Sequence, residues 1–226
     1  MAIKLSRTFV LRKLHQLTGI MPLGLFLLEH FYTNSKALQS AKAFNEAVIE
    51  LQNIPYIVLL EVFGILLPLT YHAVYGLFIT FEAKPNNLAY GYARNWFYTL
   101  QRVTGVILFF FILFHVLNFR FALFANLGLT PLSVAKRPDI AFDLVRDEFR
   151  KTWVFVIYVI GISSTVYHFA NGLWLFIVDW GLAIGERAQR FAGYACAGLG
   201  AVLLAVGLNA AAAFIRNGGL LGGIWK

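Results

Sequence analysis

Five runs of apolar residues dominate this chain, at roughly 14–32, 55–80, 97–119, 152–178 and 191–215. A helix needs about 20 such residues to cross ~30 Å of hydrocarbon. Within lipid, every backbone N–H and C=O must be paired inside the spanning structure. Runs of this length therefore predict helices, despite many β-branched and aromatic residues. The chain is 59% hydrophobic and 13% charged, with a mean hydropathy of +0.69; soluble domains average about 45–50% and about 25%. The expected fold is an all-α membrane protein, one domain over residues 1–226 with five transmembrane helices. The first run carries no small-residue cleavage motif and leads into further spans, so it reads as a span and not as a signal peptide.

Charge gives an orientation and excludes one class of partner. The net charge of +8 is scattered over helix ends, which speaks against nucleic acid and for a lipid membrane. Lys4, Arg7, Arg12 and Lys13 have no acid among them, which places the N-terminus inside. Five spans then leave the C-terminus outside. Basic residues of the 120–151 connection, from Lys136 to Lys151, run against that rule; part of this connection is expected along the membrane surface. Residues 38–51 read as a short amphipathic helix. Cys196 has no partner cysteine and reads as a small packed residue.

Polar residues recur inside the apolar runs in a fixed pattern. Tyr71-His72 is followed by Gly76-Leu77, and Tyr167-His168 by Gly172-Leu173. Thr18-Gly19 precedes His30, and Thr104-Gly105 precedes His115. The motifs alternate along the chain, so helices one and two repeat as helices three and four. Such internal symmetry is common in membrane proteins built from repeats.

Depth sorts the histidines into pairs. At 1.5 Å per residue, His30 lies roughly 24 Å along from Leu14, and His115 roughly 27 Å along from Phe97. Helices two and four run the other way. Hence His30 and His115 share an outer level, while His72 and His168 share an inner one, on the order of 15 Å apart. One iron between two imidazoles requires such pairing, whereas zinc asks for four converging ligands. The reading is two stacked haems b enclosed by the first four helices, ligated by His30 with His115 and by His72 with His168. Gly76 and Gly172, one turn beyond their histidines, are expected to let the backbone approach the porphyrin.

These motifs resemble the cytochrome b membrane anchor of succinate:quinone oxidoreductases, in its single-chain, five-helix, two-haem form. The residues that carry the resemblance are Leu17-Thr18-Gly19 to His30, Tyr71-His72 to Gly76, Gln101 through Gly105 to His115, and Tyr167-His168 to Gly172. It implies a bacterial cytoplasmic membrane, a flavoprotein and an iron–sulfur subunit docked on the cytoplasmic side, and a quinone as electron partner, menaquinone for the two-haem type. The chain itself lacks a dinucleotide fingerprint and a cysteine set for clusters.

Quinone chemistry moves protons, so an ionisable group within the membrane is the residue to seek. Glu61 stands three helical turns before His72 and near the outer level, which makes it the proton-transfer candidate. Glu29, beside His30, is the competitor. Gln16 and Arg102, with His15 and Gln101, lie at helix starts on the inner side, suited to haem propionates or to the iron–sulfur subunit. His15 is expected at the interface, away from both haem levels, as a polar anchor. Two other readings stay open: a diheme cytochrome b of another dehydrogenase or hydrogenase, and a transporter with histidines in a proton path.

Overall fold

The computed structural model describes residues 6–121, 123, 134–216, 219 and 220. Lys4, and residues 122 and 124–133 of the long connection, lie outside the described residues. Everything assigned is helical. Helix α1 covers Arg7–Ile20 and α2 covers Pro22–Ser35. The Ser6 side chain caps α1 by accepting from the Phe9 N–H at 3.2 Å, satisfying a donor that the helix leaves open. The first apolar run therefore differs from expectation. It is two 14-residue helices that meet at Met21, because Pro22 has no N–H for the preceding turn and opens α2 instead. It also begins at Arg7, two turns before Leu14.

The next helices are α3 (Ala41–Gln52), α4 (Ile57–Phe81), α5 (Ala93–Arg120), α6 (Ala141–Phe149), α7 (Thr152–Asp179) and α8 (Glu186–Ala213). Short 3-10 turns, Lys36–Leu38 and Pro138–Ile140, precede α3 and α6. Of the described helices, α4, α5, α7 and α8 are each long and apolar enough to cross a membrane. Two of them contain π-helical turns: Leu60–Leu66, just before Pro68 in α4, and Val116–Arg120, just after His115 in α5. Gly181 and Gly185 adopt left-handed φ values of 70° and 83° in the turn between α7 and α8, a conformation only glycine takes without strain.

The chain forms two compact units. Unit 1 comprises residues 1–27, 58–106 and 167–200; unit 2 comprises residues 28–57, 107–166 and 201–226. Polar contacts hold the helix ends of unit 1. Lys13 Nζ donates to the Asp179 carbonyl at 2.7 Å, Gln16 Nε2 donates to Asp179 Oδ2 at 2.6 Å, and Arg12 pairs with Glu82 at 3.3 Å.

Unit 2 is built on an aromatic core. Phe44 of α3 meets Phe214 at 5.0 Å between ring centroids, and Phe149 of α6 meets Tyr158 of α7 at 4.6 Å. The amphipathic face of α3 supplies this core with Phe44 and Val48, and α6 supplies Phe142, Val145 and Phe149. One side chain ties the two short helices together. Asn45 Nδ2 donates to the Asp139 carbonyl at 2.7 Å, and its Oδ1 accepts the Phe142 N–H at 2.8 Å. Asn45 thus acts as an N-terminal cap for α6 from another helix. Replacing it with Ala should cost about 1 kcal/mol, the usual loss for a cap. Thermal unfolding of the detergent-solubilised protein should show a lowered midpoint, with Asn45→Asp, which keeps the acceptor, falling between the two.

Candidate paired-histidine centres

Unit 1 brings together the histidines of two different helices. The rings of His72 on α4 and His168 on α7 lie 6.2 Å apart, centroid to centroid, with planes 84° apart. Metal–imidazole bonds of about 2.0 Å, plus roughly 1 Å from nitrogen to ring centre, set two trans imidazoles roughly 6 Å apart. An edge-to-face aromatic pair has a similar separation, so the hydrogen bonds decide which nitrogen is available. His72 Nδ1 lies 2.9 Å from the His15 carbonyl, and His168 Nδ1 lies 3.1 Å from the Gln101 carbonyl. A carbonyl only accepts, so each Nδ1 carries the proton and each Nε2 keeps a lone pair for a metal. Donation of the second ring N–H to a carbonyl is the usual support of a metal-bound histidine.

The glycines explain how an imidazole reaches a helix backbone. A Cβ on Gly19 would stand 2.5 Å from His72 Cε1, and one on Gly105 would stand 3.1 Å from His168 Cε1. Each ring thus lies in a notch over a glycine, against the carbonyl one turn earlier. The notches are reciprocal. A Cβ on Gly76 would stand 3.1 Å from His15 Cε1, and one on Gly172 would stand 3.4 Å from Gln101 Nε2. The space above Gly76 and Gly172 therefore holds side chains from α1 and α5.

Two further hydrogen bonds repeat the arrangement. Tyr71 donates its hydroxyl to the Leu11 carbonyl at 2.8 Å, and Tyr167 to the Phe97 carbonyl at 3.5 Å. Thr18 donates to the carbonyls of Leu14 and His15, and Thr104 to those of Leu100 and Gln101. The sequence repeat is a repeat of contacts, residue for residue.

His15 departs from its expected position. Its ring stacks on that of His72, with centroids 4.0 Å apart and planes 10° apart. The depth count went wrong because α1 starts at Arg7, which puts His15 two turns inside the helix. Stacking places it flat on His72, and no three acidic, cysteine or histidine side chains among the described residues are set to hold one metal ion. Gln16 uses both ends of its amide, donating to Asp179 and accepting from Trp180 Nε1 at 3.1 Å. Asp179 was not singled out from sequence, because nothing marks it until the helix ends meet. The Arg102 guanidinium sits 3.3 Å over the Tyr98 ring and donates to the Tyr98 carbonyl at 2.9 Å.

Glu61 stands in the π-helical turn of α4. A π turn takes up about one residue more than an α turn, so Glu61 is rotated by roughly 100° from the face that an unbroken α-helix would give it. It does not share the face of His72, as the three-turn spacing suggested.

Unit 2 holds the other pair. His30 of α2 and His115 of α5 have ring centroids 5.7 Å apart and planes 84° apart. Here the support is a side chain, with His115 Nδ1 2.8 Å from the Tyr158 hydroxyl. Glu29 accepts from Thr33 Oγ1 at 2.5 Å, one turn along its own helix.

Comparison with known proteins gives the family. Residues 82–208 match the family described as the succinate dehydrogenase/fumarate reductase transmembrane subunit. The succinate dehydrogenase cytochrome b558 subunit of Bacillus subtilis (strain 168) is 40% identical over 210 residues, covering 93% of this chain and 98% of that protein. The paired histidines therefore sit in a multi-pass membrane protein that belongs to the succinate dehydrogenase/fumarate reductase transmembrane subunit family.

Proposed function

We propose that this chain is the cytochrome b membrane anchor of a succinate dehydrogenase or fumarate reductase, a single domain that passes electrons between an iron–sulfur subunit and a membrane quinone, menaquinone in this reading. The observation that carries it is the two histidine pairs, with centroids 6.2 Å and 5.7 Å apart, each pair contributed by two helices. Their spacing, and the Nδ1 atoms of His72 and His168 committed to carbonyls, suit bis-imidazole ligation of two haems b. In this reading α1 and α2 together form a fifth span, and the N-terminus faces the cytoplasm, where a flavoprotein and an iron–sulfur subunit dock.

Haem b, when bound, would supply a one-electron iron couple. The chain's residues do the rest. His72 and His168 would hold one iron, and His30 and His115 the other. The carbonyls of His15 and Gln101 fix two of the rings, and the apolar helices exclude water from them. Gln16 and Arg102, each more than two turns inside its helix rather than at a helix start, are polar groups suited to a propionate or a docking subunit. Glu61 is proposed as the group that takes or gives a proton as quinone turns over. Its place in a π-helical turn supports this, since such turns are frequent at functional sites. Membership of the succinate dehydrogenase/fumarate reductase family favours this reading over a cytochrome for another dehydrogenase or a proton-coupled transporter.

A pyridine haemochrome assay on the purified complex should give two haems per chain; one haem or none sinks the two-haem reading. His72→Ala and His30→Ala should each remove a different haem from the redox-difference and EPR spectra. Gly19→Ala adds a methyl 2.5 Å from His72 Cε1, while Gly105→Ala adds one 3.1 Å from His168 Cε1. Gly19→Ala should therefore lower the haem content more than Gly105→Ala, and both should affect the same haem as His72→Ala.

Glu61→Gln keeps the shape and removes the titration. Both haems, and succinate oxidation with a soluble acceptor that bypasses the membrane, should survive. Turnover with a menaquinone analogue should fall by at least ~10²-fold, the lower range for a lost general acid or base. Unchanged quinone turnover would take Glu61 out of the mechanism and turn attention to Glu29.

A further inference from the structure

The support of His115 differs in kind from the backbone supports of His72 and His168. In unit 1 the Nδ1 atoms of His72 and His168 meet backbone carbonyls, which no substitution can delete. In unit 2, His115 Nδ1 meets the hydroxyl of Tyr158 at 2.8 Å. Tyr158 is 5% exposed and lies within an aromatic shell, its ring 5.2 Å from Phe111 and 4.6 Å from Phe149. Burial of this depth holds the phenol in one rotamer, with its oxygen against the imidazole edge.

We propose that Tyr158 is the positioning residue of His115: its hydroxyl oxygen accepts the Nδ1–H, turns Nε2 toward the iron and sets the electron density of that one axial ligand. The proposal rests on the two-haem reading above. Accepting a proton from the far nitrogen makes an imidazole more electron-rich, which favours the oxidised metal. Removing the acceptor should therefore raise the midpoint potential of the haem on His30 and His115 and leave the other unmoved.

The test is Tyr158→Phe in the intact complex, read by redox titration of each haem and by the low-spin ferric EPR signal, which follows the orientation of the two imidazole planes. Support is retention of both haems, an upward shift of one midpoint and a change in the EPR signal of that same haem, the one lost in His30→Ala. No shift, a downward shift, or equal shifts of both haems overturns the proposal. If Tyr158→Phe loses the haem, Phe111→Leu decides, because it opens the same shell while keeping the hydroxyl. Haem retained in Phe111→Leu but lost in Tyr158→Phe supports the hydroxyl's role; loss from both assigns Tyr158 to packing and overturns it. Absence of two haems from the unmutated complex is a separate outcome, visible before any variant is made, and it removes the reading on which the proposal stands along with the proposal itself.

Discussion

An imidazole placed among apolar helices must give its N–H to some acceptor, and the rest of unit 1 follows from how it does so. Leaving a buried donor unpaired costs about 1–3 kcal/mol. A helix carbonyl is already engaged within its own helix, yet it has a second lone pair. To reach it, the imidazole must lie against the helix surface, which a side chain at the next turn would prevent. Hence the glycine four residues beyond the accepting carbonyl: Gly19 beyond His15, and Gly105 beyond Gln101. The threonine before each glycine turns its hydroxyl back on its own helix, and Thr104 Oγ1 also lies 3.3 Å from His168 Nδ1.

Much of this was legible in the sequence. Length and hydropathy located the long helices, the repeated motifs singled out the histidines, and the depth count put together those whose rings lie 6.2 Å and 5.7 Å apart. The exact contacts were not legible, because spacing along one helix says which face a residue occupies and not what it meets. Gly76 and Gly172 were recognised as openings, but the side chains above them come from α1 and α5. Position along the helix was equally exposed to error. Counting from the first apolar residue ignored the polar start of α1, and so misplaced His15. Counting Glu61 at α-helical pitch ignored the π-helical turn beside Pro68.

The short helices between the long ones were the least predictable part. The amphipathic pattern of 38–51 announced α3, yet nothing in it named Asn45 as the residue that would cap α6. That bond joins segments far apart in the chain, and an asparagine on the polar face of a helix looks like any solvated residue. Tyr158 is similar. On α7 it reads as one aromatic among many, and only the approach of His115 gives its hydroxyl a task.

The reciprocal notches constrain how the two halves of unit 1 can diverge. Neither Gly19 nor Gly76 can gain bulk without displacing a ring from the other helix, so drift at these positions is coupled to the residues they receive. The receiving positions are freer. His15 in one half and Gln101 in the other differ in chemistry, yet each sits over a glycine of the partner helix and offers a carbonyl that belongs to the backbone. A duplicated helix pair could therefore exchange the side chain at this position and keep the hydrogen bond that holds its histidine. Because the acceptor is a backbone carbonyl in both halves, the identity of the side chain at this position is separable from the bond that holds the histidine.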